Sequence, residues 1–286
     1  MNNVVEATEA PFEATRFAAL PEVATPSESA LSTLITHSLL QCKRLLIGWL
    51  RDPSTTIQTL VYPALMLLMF DVVLGRAITG YTGTPAIYGQ VAMITLVAAM
   101  SGAVVSALGF KTEKATGLLG RLWTMPVHRA AGLTGRLLAE AVRVLITTLF
   151  VLAVGLALGF RFDQGPVAAL ALIALPVLFG VGFAVLVTAL ATVTEGVMLV
   201  SLVSIVNTLL MFFNTGFVPK FAYPVWLQGI VENQPMSCAI DAMRGLSYGG
   251  PVAGALWKTV AWTLGLIVVF AWPAIRGYRR AAQTGA

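Results

Sequence analysis

Six long apolar stretches are the feature of this sequence that most restricts its fold. They cover residues 57–74, 87–110, 137–160, 167–192, 197–217 and 253–272. A helix needs about 20 largely apolar residues to cross the hydrocarbon core of a bilayer, and each stretch is close to that length. Backbone polar groups inside a bilayer must bond to one another, which an α-helix achieves within a single segment. The sequence therefore predicts an all-α membrane protein with six transmembrane helices.

The composition excludes an ordinary soluble domain. Of the 286 residues, 57% are hydrophobic and 11% are charged, whereas about a quarter of the residues in a soluble domain are charged. The net charge of +5 does not indicate nucleic-acid binding, because the Lys and Arg residues flank the apolar stretches and form no continuous basic stripe. We therefore expect no nucleic-acid partner.

The basic residues predict the orientation of the six helices. When successive loops are assigned to opposite sides of the membrane, thirteen of the 18 Lys and Arg residues fall on one side. This set includes Arg136 and Arg143, which we assign to the flank of the third stretch. The side with the excess of Lys and Arg is cytosolic. The sequence thus predicts a multi-pass protein of the bacterial inner (plasma) membrane with both termini in the cytosol.

An amphipathic segment precedes the first apolar stretch. Apolar residues recur at helical spacing from Leu31 to Trp49, while Lys43 and Arg44 lie off that stripe. A spanning helix would place these two charges in the bilayer at about 2.5–3.5 kcal/mol each. We therefore favour a helix that lies in the membrane interface over a first spanning helix.

These patterns divide the chain into four parts. Residues 1–30 are rich in Glu and Pro and have no apolar core, which predicts a disordered cytosolic tail. The interfacial helix takes residues 31–52, and the six-helix transmembrane domain takes residues 53–280. Residues 281–286 remain as a cytosolic C-terminal tail.

The cytosolic loop at residues 111–136 is one of two long connections. Its apolar residues Leu118, Leu119, Leu122 and Trp123 fall on one helical face before Pro126 ends the helix. Such a helix could occupy a groove on a soluble partner, or it could be a second helix in the membrane interface. Periodicity alone favours neither alternative.

The external loop at residues 218–252 is the other long connection. It is apolar but is broken by Pro219, Pro224 and Pro235, so it can enter the outer leaflet as paired short helices and cannot span the bilayer. A re-entrant gate and a cap without a gating role are both consistent with this pattern. Asp241 and Arg244 are three residues apart and could form a local ion pair.

Several polar and aromatic residues near the apolar stretches are further candidates. Asn207, Phe212, Phe213 and Asn214 could line a path for a large amphiphile, although interhelical hydrogen bonds and core packing are the favoured explanation. Asp71 is an acid inside a predicted span, which is a functional candidate by default, but it could pair with Arg76 at the external interface. Glu195 lies in a tight cytosolic turn and either contacts a partner or caps the following helix.

The sequence argues against two other functions. A membrane-embedded lipid-modifying enzyme needs clustered acids or histidines, but the chain has only His37 and His128 and scattered acids, so we predict no catalytic residue and no metal site. A secondary transporter or channel would be indicated by intramembrane charges and interrupted helices, and the sequence gives convincing signs of neither. The chain also lacks the G-x-x-x-x-G-K-[ST] phosphate loop, so an ATPase that drives it must be another polypeptide.

Both long loops resemble those of ABC-2-type permeases. That family has an acidic and basic pair, a Gly, a Leu-rich turn and a Pro–Val step before a Gly at the entry to the next helix. The matching cytosolic positions are Glu113, Lys114, Gly117, Leu118, Leu119, Leu122, Pro126, Val127, Arg129 and Gly135. The external loop is similar to the family's second pattern at Pro235, Ser237, Ile240, Ala242 and Arg244.

The closest resemblance is to daunorubicin-resistance-type exporters, through the motif LWxxPVHRAxGL at residues 122–133, which includes Trp123 and His128, and LGFRF at residues 158–162. It implies a type V exporter-like fold in which the cytosolic positions couple to the ATPase, with Glu195 as a second contact, and Pro235, Ser237, Asp241 and Arg244 form an external gate. It also implies two copies of a separate ATPase that bind ATP and Mg²⁺, no cofactor in this chain, and a second, homologous permease. The implied substrates are anthracycline-like drugs or complex envelope lipids.

Overall fold

The computed structural model describes residues 31–125, 127–216 and 218–283, and these residues form ten α-helices and no strand. The all-α prediction is confirmed. The predicted tail at residues 1–30 and the coupling residue Pro126 lie outside the described residues. The helices are α1 Leu31–Arg51, α2 Pro53–Thr82, α3 Ile87–Ala115, α4 Leu118–Thr124, α5 Ala131–Ala157, α6 Gly165–Val193, α7 Gly196–Phe212, α8 Val225–Asn233, α9 Pro235–Ser247 and α10 Ala253–Gln283.

Five of these helices, α2, α3, α5, α6 and α10, are long and apolar enough to cross a membrane. The sixth predicted stretch, residues 197–217, corresponds to α7, which has 17 residues and ends at Phe212. At 1.5 Å per residue α7 is about 25 Å long, slightly less than the roughly 30 Å hydrocarbon core. Its first residue, Gly196, lies beside Lys111 near the last turn of α3. An added Cβ on Gly89, in the first turn of α3, would lie 2.5 Å from the carbonyl oxygen of Gly216, so α7 runs along the length of α3.

The helices define two ends of a bundle. The α4 end also holds α1, the start of α5 and the last turns of α3 and α10: Ser38 Oγ and Thr134 Oγ1 are 2.6 Å apart, and Gly132 packs beneath the Tyr278 ring. The α9 end holds α8, α9 and the first turns of α3, α6 and α10, where the Asp163 N–H donates to the Ser247 carbonyl at 3.0 Å. Helices α2, α3, α5, α6, α7 and α10 each run from one end to the other.

Helix α3 lies at the centre of the bundle and packs against α2, α5, α6, α7 and α9. Small residues permit this close packing. An added Cβ on Gly155 of α5 would lie 2.9 Å from Val91 of α3, and one on Gly180 of α6 would lie 3.3 Å from Ala99. Helices that approach this closely gain van der Waals contact, which is the main attraction between helices in lipid.

Helix α1 is joined to the bundle along one side. Cys42 and Trp49 are buried, whereas Leu31, Ile35 and Leu39 from the predicted apolar stripe are exposed. Asp52 ends α1 and begins α2, because its carboxylate accepts hydrogen bonds from the N–H groups of Ser54 and Thr55. The predicted C-terminal tail starts too early, because α10 continues to Gln283 and Ala281 and Ala282 are buried in the core; residues 284–286 lie outside the described residues.

Candidate functional site

Helix α4 is held by a glycine turn at the end of α3. Helix α3 ends at Ala115, and Gly117 has φ of 71° and ψ of 6°, the left-handed conformation that favours glycine. The chain therefore reverses within two residues and starts α4 at Leu118. This geometry explains the glycine in the cytosolic motif.

The apolar face of α4 is partly covered by its own chain. Leu119 is 2% exposed within the main core, and Leu122 and Trp123 line a narrow crevice with Tyr278 and Ala282 of α10. A helix of seven residues is marginal by itself, so burial against α3 and α10 stabilises it. The remaining surface exposes Arg121, Thr124 and Met125, and Leu118 is half-buried.

Glu113 does not lie on the exposed surface either. Its side chain is 14% exposed, and one oxygen accepts a hydrogen bond from Arg44 Nη2 of α1 at 2.7 Å. The other oxygen is paired with Arg136 of α5. Glu113 therefore connects α1, α3 and α5, while its neighbour Lys114 is exposed.

The loop between α4 and α5 is attached to α1. The backbone N–H of His128 donates to Nδ1 of His37 at 3.1 Å, and the N–H of Ala130 donates to Nδ1 of His128 at 3.2 Å. The guanidinium of Arg129 lies 5.2 Å from the centre of the Trp123 ring, and Val127 is half-buried in the same crevice. The structure thus brings together the predicted coupling residues, apart from Pro126, at the α4 end.

Glu195 lies at the same end. The Lys111 ammonium donates to the Thr194 carbonyl, which holds the turn between α6 and α7 against the end of α3. Glu195 itself is exposed, and its side chain makes no capping hydrogen bond to α7. Glu195 nevertheless occupies the N-cap position of α7, where its backbone carbonyl accepts a hydrogen bond from the Leu199 N–H at 2.8 Å.

The predicted gate residues belong to α9, which is inserted among α3, α6 and α10. Pro235 is the first residue of α9, a position that tolerates proline because its missing N–H would have no partner within the helix. Ser237 is fully buried, and its hydroxyl accepts a hydrogen bond from Gln234 Nε2 at 2.9 Å. Helix α9 therefore penetrates the bundle, whereas α8 packs against α9 and leaves Val225, Trp226 and Ile230 exposed.

Asp241 and Arg244 do not pair with each other among the described residues; both contact Thr215 in the segment after α7. The Thr215 hydroxyl donates to Asp241 Oδ1 at 2.8 Å, and Arg244 Nη2 donates to the Thr215 carbonyl at 2.7 Å. These two bonds fix α9 to the end of α7. In the outer part of the loop, burial raises the pKa of the Tyr223 phenol, which donates to the Asn214 carbonyl at 3.0 Å.

The candidate path residues separate into different environments. Asn207 lines a cavity of about 320 Å³ between α2, α3 and α7, and its side-chain oxygen is buried without a hydrogen-bond partner. Asn214 does not line this cavity: it is fully buried, and its Oδ1 accepts a bond from the Gly216 N–H at 2.7 Å, so it terminates α7. Phe212 and Phe213 are exposed at the α9 end.

Sequence reasoning missed an ion pair inside the bundle. Glu140 and Arg143 of α5 form a salt bridge, with side chains 0% and 10% exposed. Arg143 Nη2 also donates to the carbonyl of Gly102 at 3.0 Å, and Gly102 is about 20 Å from either end of α3. Arg143 therefore does not belong to the cytosolic flank. The signal available in the sequence was the i, i+3 spacing of an acid and a base within an apolar stretch.

Asp71 has a different environment from the one proposed for it. It is half-buried in α2, and its Oδ1 lies beside Gly75. No ion pair between Asp71 and Arg76 is found in the described ranges. Within those ranges there is also no group of three His, Cys, Asp or Glu side chains that could hold a metal ion.

Comparison with known proteins gives consistent matches along most of the chain. Residues 39–248 match the ABC-2 type transporter family. The chain is 43% identical over 256 residues to a protein of Mycobacterium tuberculosis described as a probable doxorubicin resistance ABC transporter permease, DrrC, and this match covers 90% of the chain and 93% of that protein. It is 29% identical over 253 residues to the daunorubicin resistance ABC transporter permease DrrB1 of Streptomyces coeruleorubidus, covering 87% of the chain and 88% of that protein.

Proposed function

The chain belongs to the ABC-2 type transporter family, and we propose that it exports a large hydrophobic amphiphile with energy from a separate ATPase. The match over residues 39–248 confirms the resemblance seen in the two long loops. As a member of this family, the chain is a membrane permease subunit of an ABC exporter. The proposed ATPase binds ATP and Mg²⁺, works as two copies per transporter, and performs the hydrolysis that this chain cannot.

The substrate proposal is supported most directly by the cavity between α2, α3 and α7. Its lining is mostly apolar, with Ile94, Val97 and Met66, and it also carries the polar groups of Asn207 and Gln58. Apolar walls with a few polar groups suit an amphiphile. Two relatives are named for resistance to doxorubicin and daunorubicin, so the substrate is an anthracycline-like drug or a complex envelope lipid of comparable hydrophobicity.

A second permease chain, homologous to this one but different, would complete the transport route. Helices α2 and α7 form part of the cavity, yet their outer faces expose apolar side chains such as Leu65, Val72, Ile205 and Leu209. A symmetry-related or homologous chain packed on these faces would enclose the cavity on its open side. Helix α7 then crosses the membrane as the fifth of six spans.

Orientation is proposed from charge and topology together. Lys114, Arg121 and Arg129 are exposed at the α4 end, and an excess of Lys and Arg marks the cytosolic side. Since six helices run between the two ends, α1 and the last turn of α10 both lie at the α4 end. We place the chain in the plasma membrane with both termini in the cytosol.

Coupling and gating are assigned to opposite ends. ATPase closure would push the exposed surface of α4, at Arg121 and Met125, together with Lys114 and Glu195. The movement would pass through α3 to α9, where Pro235, Ser237, Asp241 and Arg244 form the exit. The hydrogen bonds that join α9 to the segment after α7, at Thr215 and between Gln234 and the Phe213 carbonyl, are the contacts that opening of such a gate would break.

The test is charge reversal at the α4 end. Arg121→Glu should reduce copurification of the ATPase from the native membranes by about tenfold or more, as expected when an interface charge is reversed, and ATP-dependent transport should fall in parallel. Arg76→Glu is the matched control, because Arg76 is equally exposed but lies toward the α9 end of α2. Transport by Arg121→Glu at the normal rate would contradict the coupling role. Transport that continues without ATP would instead establish a secondary transporter or channel.

A further inference from the structure

A second cavity, which shares Gln58, Val105 and Leu108 with the cavity of the proposed transport route, lies between α1, α2, α3 and α5 toward the α4 end. Its volume is about 590 Å³, within the range of known small-molecule sites. Arg44, Arg136 and Arg143 contribute charge, while Leu45, Trp49 and Val105 contribute apolar surface. We call this cavity the arginine crevice.

The three arginines come from two helices, and hydrogen bonds or ion pairs hold each of them in place. Arg44 of α1 and Arg136 of α5 share the carboxylate of Glu113. Arg136 Nη1 also donates to the Ser106 carbonyl at 2.7 Å, and Arg143 Nη2 donates to the Gly102 carbonyl at 3.0 Å. Arg136 and Arg143 are 3% and 9% exposed. Their side chains are therefore positioned before any ligand arrives.

Four nitrogen donors on the lining have no partner. The Nε atoms of Arg44, Arg136 and Arg143 and the Nε1 atom of Trp49 are buried and make no hydrogen bond. Among the described residues that line the crevice, no buried side-chain oxygen lacks a partner. A buried donor without an acceptor costs about 1–3 kcal/mol. Because the unsatisfied groups are all donors, a ligand that satisfies them must offer hydrogen-bond acceptors, as the oxygens of a phosphate do.

The carboxylates near the crevice are already used. Glu113 lines it, but its two oxygens face Arg44 and Arg136. Asp52 also lines it, but its carboxylate caps the start of α2 through Ser54 and Thr55. Glu140 pairs with Arg143 and is not part of the lining. These three acids equal the three arginines in number, so the site has no net charge to hold a multiply charged anion, and it suits a single phosphodiester charge bound through hydrogen bonds.

The apolar walls identify the class of anion. Leu45 and Leu46 of α1 face the crevice together with Val105 and Leu108 of α3. Next to them, Ile47 and Leu50 of α1 are exposed, as expected for a helix that lies in the membrane interface. The crevice is thus charged on one side and apolar on the other. Its α1 side is adjacent to the level at which phospholipid headgroups lie.

From this combination we propose that the arginine crevice binds the phosphodiester headgroup of a phospholipid from the adjacent leaflet. The phosphate oxygens accept hydrogen bonds from the Nε groups of Arg44 and Arg136 and from Trp49 Nε1, while Arg143 lies deeper in the bundle, and the glycerol and first acyl carbons lie against Leu45 and Val105. Basic pockets between transmembrane helices at this level commonly select phospholipid headgroups. The bound lipid stabilises the junction of α1 with the bundle.

Two pairs of variants test the proposal in the full chain. Arg44→Gln removes one free donor, and Lys43→Gln removes the same charge from the neighbouring residue, which is exposed and does not line the crevice. Gly48→Leu fills the crevice without altering a charge, because an added Cβ on Gly48 meets no atom within 4 Å. Gly80→Leu is its control, since Gly80 is equally unobstructed on α2 and lies outside the crevice.

The purified chain is titrated in detergent with dioleoyl phosphatidylglycerol, and bound lipid is counted by native mass spectrometry. Dioleoylglycerol, which lacks the phosphate, and inorganic phosphate are titrated in parallel. The wild-type chain, Lys43→Gln and Gly80→Leu should retain one phospholipid, whereas Arg44→Gln and Gly48→Leu should bind it about tenfold more weakly or worse. A gel-filtration profile like that of the wild type shows that each variant is folded.

Three results would overturn the proposal. Equal binding by Arg44→Gln and Lys43→Gln, in variants that remain folded, would show that the arginines do not recognise the headgroup. Equal binding of dioleoylglycerol would reduce the crevice to an apolar groove. Equal binding of inorganic phosphate, with displacement of the lipid, would make it a site for a free anion.

Discussion

The buried ion pair between Glu140 and Arg143 allows a quantitative test of the structure. Glu140→Gln leaves the Arg143 guanidinium charged and without its counter-ion, in a position that is 9% exposed. Breaking a buried pair on one side costs about 3–5 kcal/mol. At about 2–4 °C per kcal/mol for a chain somewhat smaller than this one, Tm should fall by roughly 6–20 °C.

The reciprocal variant, Arg143→Met, should cost less. A buried carboxyl group left without its partner can be neutralised by one proton near neutral pH, whereas a guanidinium gives up its proton far less readily. The double variant Glu140→Gln/Arg143→Met removes both charges and should lie within about 1 kcal/mol of the wild type or exceed its stability. The expected order of Tm is therefore wild type and double variant together, then Arg143→Met, then Glu140→Gln.

Thermal unfolding of the detergent-purified chain measures this order. Unfolding is followed by the fluorescence of a thiol-reactive dye that reacts with Cys42 and Cys238, which are free and buried in the folded chain. Glu232→Gln is the control, because its ion pair with Lys220 is exposed and should contribute less than about 1 kcal/mol. If the double variant lost as much stability as the two single variants combined, the cost would come from packing and not from an unpaired charge. That result would refute the reasoning.

Three further predictions concern the ends of the helices. Gly117→Ala and Gly83→Ala should each lower the free energy of unfolding by about 1–2 kcal/mol, because φ is 71° and 69° at these residues. Only Gly117→Ala, which reorients α4, should also reduce transport per bound ATPase. Equal transport by the two variants would show that α4 has no role in coupling. Asn214→Ala should lower the free energy of unfolding by about 1–3 kcal/mol, since the buried Gly216 N–H loses its acceptor, and a denaturation curve like that of the wild type would contradict this role. The hydrogen bond from Lys220 holds the pKa of Glu232 below its ordinary value of 4.5. The ion pair therefore stabilises the fold above that pH, and its contribution disappears as the pH falls through the lowered pKa. The free energy of unfolding of Glu232→Gln should not show this decrease at acid pH.

Hydropathy was enough to locate the spanning helices but not to end them correctly. The stretches at residues 57–74 and 87–110 lie inside α2 and α3, because an apolar run of that length has few other solutions in lipid. The stretch at residues 197–217 remains apolar after α7 has ended at Phe212. The Asn214 amide, which bonds the Leu210 carbonyl and the Gly216 N–H, terminates that helix. Its effect depends on side-chain geometry that hydropathy does not measure.

The candidate site shows a similar division. The glycine turn and the short helix after it were predictable from the motif, since the local backbone determines both. The surface that covers the apolar face of α4 could not be predicted, because periodicity identifies a buried face without identifying its partner. Leu119 is buried against its own bundle, and Glu113 binds arginines on two other helices. Such contacts join residues 23 and 69 positions apart, so a single sequence does not reveal them.

These same contacts explain how a short helix could transmit force. Four elements meet beneath α4: Glu113 joins α3 to α1 and α5, and the Phe110 and Tyr278 rings stack with centres 5.4 Å apart, joining α3 to α10. Gly132 of α5 leaves space for the Tyr278 ring, so α5 and α10 are also in direct contact. A push on α4 therefore acts on a braced platform of helices and not on a flexible loop. Because α3 extends from this platform to Gly89, beside Gly216 at the α9 end, displacement of the platform must alter the packing around α9 or be absorbed by bending α3, whose span is 72% buried.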